Sequence, residues 1–204
     1  MRQNCLALMN NVARNALRIF MKKLGNFFAV LCLLLVASCS GAPSGRALNA
    51  GILVTVETLD LEKYLGKWYE IARYPNRFER GCTNVTAEYG LLSETRISVV
   101  NTCQVGNNTK IAKGKASILD GSNGTRLAVN FAPFPLPVGA GNYYILYIGG
   151  DYETALVGEP SGKYLWLLAR SKVINSTQRS ELERAALRNG YNLQMLENVV
   201  HDRN

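Results

Sequence analysis

From about Lys67 onward, the hydrophobic and polar positions fall into short runs separated by turn-forming residues every 8–14 positions. The runs are Lys67–Tyr74, Thr83–Leu91, Arg96–Cys103, Lys110–Leu119, Thr125–Phe131, Asn142–Ile148, Tyr152–Gly158 and Lys163–Arg170. Val85, Ala87, Tyr89 and Leu91 alternate with Asn84, Thr86 and Glu88, the period of a half-buried strand. Tyr143, Ile145 and Tyr147 alternate with Asn142, Tyr144 and Leu146, which predicts a strand apolar on both faces beneath a covering helix. Gly106-Asn107-Asn108, Asp120 to Gly124 and Gly149-Gly150-Asp151 read as hairpin turns. Eight strands in meander order predict an all-β fold, an eight-stranded antiparallel up-and-down β-barrel. Eight is also the strand number whose interior can hold one small ligand.

One helix is expected outside the barrel near the C-terminal end. Asn175 is placed as N-cap with Gln178 three residues on, and Gly190 as the stop. Leu182, Ala185, Ala186 and Asn189 share a face at helical spacing, suited to packing on the wall. Tyr191–Val200 is expected to contain a final short strand.

Charge changes the picture once it is located. The 204 residues carry a formal +8, but five of the 23 cations and none of the 15 acids fall in residues 1–38. The rest carries 18 cations against 15 acids, about +3, and gives no indication of a nucleic-acid partner. From Met21 the chain reads Met-Lys-Lys, an apolar run from Leu24 to Val36, then Ala37-Ser38-Cys39. That order marks a secretory signal peptide, and the run falls short of the ~18–20 residues needed to span a bilayer. Leu35-Val36-Ala37-Ser38-Cys39 resembles the bacterial lipobox, which implies cleavage before Cys39 and its acylation. Ser40, rather than aspartate, after the cysteine suits the outer membrane. Residues 1–38 are thus expected to be a signal peptide, starting at Met1 or Met21. Residues 39–50 would be a lipidated flexible tether and residues 51–204 the folded domain. The Asn-x-Ser/Thr sequons at Asn84, Asn107, Asn123 and Asn175 are taken as coincidental beside a lipobox.

Of five cysteines, Cys5 and Cys32 precede the cut and Cys39 would carry lipid, leaving Cys82 and Cys103. A hairpin centred between residues 92 and 93 opposes positions that sum to 185, which sets Cys82 across from Cys103. A disulfide is expected in an oxidising compartment, with two free thiols as the other reading.

Gly66-Lys67-Trp68-Tyr69-Glu70-Ile71-Ala72-Arg73 resembles the Gly-x-Trp signature of the first lipocalin strand. Tyr74-Pro75-Asn76-Arg77-Phe78-Glu79 and Val85 to Tyr89 resemble the bacterial and apolipoprotein-D-like branch. Asp151-Tyr152 with Ala155 to Val157, and Tyr164 to Arg170, resemble the second and third family motifs. The resemblance covers nearly all of residues 57–200 and is closest to bacterial outer-membrane lipocalins. It implies that Trp68 closes the narrow end with Arg170 against its indole, and that Gly66, Trp68, Asp151 and Arg170 are structural. Leu59 to Tyr64 would form a short helical cover at that end.

The same resemblance implies a fatty acid or lysophospholipid ligand, a role in membrane maintenance under stress, and anchorage in the outer membrane facing the periplasm. Inward candidates for ligand contact are Tyr89, Val99, Phe131, Tyr143, Tyr147 and Trp166, with Glu70 and Arg73 as polar anchors. The proline-rich loop from Phe131 to Gly139 departs from the family pattern. No metal or cofactor is expected, and a homodimer is possible. A single histidine, His201, supports neither a Ser-His-Asp nor a Cys-His arrangement, so an enzyme is not expected. A tethered interaction module without a working pocket stays open as the alternative, with a lipid-modifying enzyme behind it.

Overall fold

The computed structural model describes residues 45–202 apart from Leu48, residues 135–138 and Ala140. Cys39, the signal peptide and most of the tether lie outside the described residues, as does the middle of the proline-rich loop.

A short helix α1 (Leu61–Tyr64), capped by Asp60, leads into β1 (Gly66–Arg73). There follow β2 (Thr83–Ser93), β3 (Arg96–Val105), β4 (Asn108–Ile118), β5 (Arg126–Asn130), β6 (Tyr143–Gly149), β7 (Thr154–Gly158) and β8 (Leu165–Ala169). Helix α2 (Ser176–Arg188), a 3₁₀ turn (Leu193–Met195) and β9 (Glu197–Asn198) come last. Each strand from β2 to β7 pairs antiparallel with the next, β8 pairs with β1, and β1 pairs with β2. The sheet is therefore a closed eight-stranded up-and-down barrel with one extra strand.

The closing seam is uneven. Gly66–Tyr69 of β1 pair with β2, whereas Ala72 and Arg73 pair with β9. The two strands separate toward the end where β1 finishes, called here the open end. The opposite, closed end carries α1 and the β2–β3, β4–β5 and β6–β7 turns.

Two apolar cores explain the sequence pattern. Inside the barrel, Trp68, Tyr89, Ile97, Val99, Ala116, Leu127, Ile145, Ala155, Val157 and Leu168 pack together. Outside, Leu182, Ala185 and Ala186 of α2 pack against Ala72, Tyr144, Leu146, Leu156, Leu165 and Leu167. Strands under α2 bury both faces, so they read as continuous apolar runs rather than alternating ones. The helix starts as the sequence suggests. Gln178 N–H donates to Asn175 Oδ1 (2.9 Å) and Asn175 N–H to Gln178 Oε1 (3.0 Å), a reciprocal cap.

Cys82 and Cys103 are disulfide-bonded, with Cα atoms 5.4 Å apart. The register behind that expectation needs correction. Tyr89 opposes Val99 and Ser93 opposes Arg96, so the turn is Glu94-Thr95 and opposed positions sum to 188 over most of the hairpin. The cysteines still meet because the ladder slips between Thr83 and Thr86, where Asn84 adopts φ +51°. Just before the strand, Cys82 N–H donates to the Glu79 carbonyl (3.0 Å), closing a turn that brings the residue back to β3.

Candidate functional site

The barrel interior is built from the closed end upward. Trp68 is fully buried, and its indole N–H donates to the Tyr64 carbonyl (2.8 Å). The Arg170 guanidinium lies 3.8 Å from the Trp68 ring centroid. Arg170 also donates to the carbonyls of Lys63 (2.6 Å), Leu65 (2.9 Å), Lys67 (2.8 Å) and Tyr152 (3.3 Å). Gly66, at φ +88°, turns the chain beside it. Asp151, at φ +52° in the β6–β7 turn, accepts from Lys63 Nζ (3.2 Å) on the exposed outside of this end.

Above the plug sits a cluster of three phenols. The Tyr143 hydroxyl lies 2.6 Å from that of Tyr64 and 2.8 Å from that of Tyr89. Burial pushes all three phenols up from their ordinary range, so they act as neutral hydroxyls. The apolar wall of the interior mixes small side chains with larger ones such as Ile97, Leu127, Ile145 and Leu168. Ala87, Val99, Ala116, Val129, Ala155 and Val157 all belong to, or pack on, the inner core.

Toward the open end the inner face becomes charged. Glu70 and Arg73 are both buried, and Arg73 Nη1 donates to Glu70 Oε1 (2.9 Å). Arg73 Nη2 donates to the Glu79 carbonyl (2.9 Å), and Nε lies 3.6 Å from Glu79 Oε2. One guanidinium is thus shared by two carboxylates. Burial, then the neighbouring Glu79, push the Glu70 carboxyl well above the usual carboxylate range, against the pull of Arg73. Trp166 stacks on Tyr164 (5.6 Å) and directs its indole N–H at Glu79 Oε2 (3.4 Å). Where β1 and β2 part, a cleft of about 320 Å³ is lined by Arg73, Asn76, Arg77, Glu79, Arg80 and Glu197, among others.

The sequence-derived candidates divide accordingly. Tyr89, Val99, Tyr143 and Trp166 face the interior, and Glu70 with Arg73 forms its polar pair. Phe131 follows β5 at the open end, 46% exposed, and its ring lies where a side chain on Gly114 would stand. Tyr147 is corrected. The β6–β7 register slips between Ile145 and Tyr147, so Tyr147 joins Tyr144 and Leu146 on the outer face. There its hydroxyl donates to Glu181 of α2 (3.1 Å), and Ile148 takes the inward place. A bulge of this kind leaves no mark in alternation.

Three interior residues were missed. Tyr64 enters from the cover helix rather than a strand, and Glu79 from a loop, so strand periodicity reveals neither. Asn101 was reachable, since it follows Ile97 and Val99 at strand spacing. Its buried Oδ1 has no hydrogen-bond partner among the described residues. His201 stands apart from the interior. It packs edge-on against Tyr69 (5.7 Å) with Nε2 2.8 Å from the Glu70 carbonyl. Among the described residues no group of three His, Cys, Asp or Glu could hold a metal ion.

Comparison with known proteins agrees with this architecture. Residues 59–201 match the family described as Lipocalin-like domain. The chain is 36% identical over 151 residues to the outer membrane lipoprotein Blc of Vibrio cholerae, covering 72% of this chain and 81% of that protein. It is 35% identical over 146 residues to temperature-induced lipocalin-1 of Arabidopsis thaliana, covering 69% and 78%. Insecticyanin from the tobacco hornworm Manduca sexta superposes with a TM-score of 0.59 at 18% identity, over 74% of this chain and 85% of that one, a likeness of fold alone.

Proposed function

The chain belongs to the lipocalin family, and from that premise we propose that it is an outer-membrane lipoprotein that holds fatty acids or lysophospholipids for membrane maintenance under stress. At the coarser level it is a lipocalin that binds a small hydrophobic ligand, like its relatives among the outer membrane lipoproteins. Residues 1–38 are proposed as a cleaved signal peptide and residues 39–50 as the tether. Acylated Cys39 is proposed as the anchor, with the domain facing the periplasm.

The observation that carries the ligand class is the polarity gradient along the inner face. An apolar wall rising from the tyrosine cluster suits an acyl chain, whose transfer from water contributes roughly 25 cal/mol per Å² before the costs of association. The shared Glu70–Arg73–Glu79 group stands toward the open end, where a zwitterionic or acidic headgroup would meet it. Asn101 Oδ1 offers one further acceptor. Tyr89, Val99, Tyr143 and Trp166 are the proposed contacts for the chain and Glu70 with Arg73 those for the headgroup, with Phe131 at the mouth. Binding rather than catalysis is the role proposed, in keeping with the family in general.

The test is lipid mass spectrometry on the purified, denatured protein, together with displacement of a fluorescent fatty acid by lysophospholipid. One acyl lipid per chain, or saturable displacement at micromolar concentration or below, supports the proposal. No lipid and no displacement would sink it, and would favour a tethered interaction module instead.

A further inference from the structure

All three phenylalanines of the described domain are exposed: Phe78 at 64%, Phe131 at 46% and Phe134 at 61%. Phenylalanine is ordinarily among the most buried residue types, so three out of three exposed calls for a partner. They share one location. Phe78 lies on the β1–β2 connection and Phe131 and Phe134 on the β5–β6 connection, both at the open end. Ile111, 59% exposed near the start of β4, lies toward the same rim.

Charge on the strand connections follows the same axis, with Lys63 and Lys67 at the closed end and Glu197 at the open end lying outside those connections. The three closed-end turns carry Glu94, Asp120, Asp151 and Glu153 and no cation. The open-end connections carry Arg77, Arg80 and Lys163, all exposed. Their two acids are turned inward: Glu79 onto Arg73 and Asn76, and Glu159 onto the backbone N–H groups of Ser161, Lys163 and Tyr164. Arg77 itself lies 4.8 Å from the Phe78 ring centroid, an aromatic tip flanked by cations.

The route of the chain gives the third observation. The Gly45 carbonyl accepts from Tyr74 Oη (2.6 Å) and from Asn192 N–H (2.9 Å), and Gly45 abuts Gly162 of the β7–β8 connection. The chain therefore joins the barrel at its open end. Cys39 stands six residues before Gly45, a reach of about 20 Å at full extension.

We propose that the open end of the barrel is a membrane-docking face, which seats Phe78, Phe131 and Phe134 in the interface of an anionic phospholipid bilayer with Arg77, Arg80 and Lys163 against its headgroups. The proposal takes the anchor at Cys39 from the function proposed above but makes no use of the bound ligand. Apolar side chains flanked by cations are the composition of an interfacial anchor, and each cation near an anionic surface multiplies partitioning roughly fivefold at low salt. The geometry turns the mouth toward the membrane, so that a lipid need not cross water to enter.

Residues 40–204 contain the whole closed barrel and both cores, so this form, which lacks the acyl group, isolates the rim. Its flotation with vesicles of phosphatidylethanolamine and phosphatidylglycerol (about 3:1) is compared with flotation on phosphatidylcholine alone. Binding is expected on the anionic vesicles, weakened by high salt. Phe78→Ser with Phe134→Ser, and separately Arg77→Glu with Arg80→Glu, should each reduce it tenfold or more. The closed-end pair Leu91→Ser with Leu92→Ser, equally exposed, should leave it unchanged. The arginine pair is wholly at the surface, so it remains informative if the phenylalanine pair lowers the melting temperature. No flotation, or equal losses from rim and closed-end variants, overturns the proposal. Flotation without any extractable lipid would defeat the carrier reading and leave the docking face standing.

Discussion

Glu70 and Arg73 lie three residues apart on one strand yet form an ion pair on the same face, 2.9 Å between Nη1 and Oε1. Regular alternation would put them on opposite faces. The β1–β8 register slips between Glu70 and Ala72, so Ile71 and Ala72 both pack on the outer core and Arg73 turns back inward. The bulge thus places a charged pair inside an otherwise apolar barrel.

That pair gives stability a pH dependence whose sign is fixed. Glu70 is held well above its ordinary 4.5 by burial and by Glu79, with Arg73 opposing. Between 4.5 and the folded value, the native state keeps a proton that the unfolded chain has released. This contribution is therefore fully present below about pH 4.5 and is lost as pH rises through the folded value. Glu70→Gln keeps the hydrogen bond from Arg73 and should flatten the slope. Urea unfolding midpoints from pH 4 to 8 check this, and superimposable slopes for the two proteins would count against it.

The legibility of the chain follows from the same distinction. All eight barrel strands and the capped helix were legible, because period-2 burial, turn residues and the Asn175–Gln178 cap are local signals. The Cys82–Cys103 pair was expected from the count of cysteines, but on a hairpin register that the structure corrects. Local irregularities were not legible. The slip at Ile71, the slip that turned Tyr147 outward and the slip near Asn84 each depend on how a strand meets its neighbour. Interior polar groups suffered most. Glu79 reaches the interior from a connection and Tyr64 from the cover helix, so no strand pattern points to either.

The disulfide joins residues 21 apart at the open end of the β2–β3 hairpin. Closing a loop of that length restricts the unfolded chain by roughly 3 kcal/mol in the chain-entropy account. Cys82→Ser with Cys103→Ser should lower the unfolding free energy by about that amount. Reductant should bring the native protein to the same value, read as the urea midpoint at constant slope. A change under about 0.5 kcal/mol would mean that the hairpin ladder alone orders the unfolded chain.

The corrected placement of Tyr147 separates two substitutions that alternation would treat alike. Val99→Trp adds a large ring to the inner wall and should weaken displacement of a fluorescent fatty acid tenfold or more. Tyr147→Phe alters only the contact with Glu181 on the outer face and should leave displacement within twofold. Equal effects from both would remove the barrel interior as the ligand site.

Arg170 and Trp68 make the closed end rigid, and their contributions can be separated. The guanidinium serves four carbonyls, those of Lys63, Leu65, Lys67 and Tyr152, while its plane covers the indole. A lysine ammonium cannot fork among carbonyls and stack at once. Arg170→Ala should therefore lower stability by about 2–4 kcal/mol, the combined loss of charge-assisted hydrogen bonds and a cation–π contact. Arg170→Lys should recover less than half of that. The chain has only two tryptophans, so Trp166→Phe leaves Trp68 as sole emitter and reports on the plug directly. In that background Arg170→Ala should shift the emission to the red as water reaches the indole. Affinity for a fatty acid should change less than threefold, because Arg170 is held by backbone carbonyls around the plug and is not itself one of the proposed chain contacts. A large loss of affinity with unshifted emission would mean that Arg170 acts on the ligand rather than on the plug.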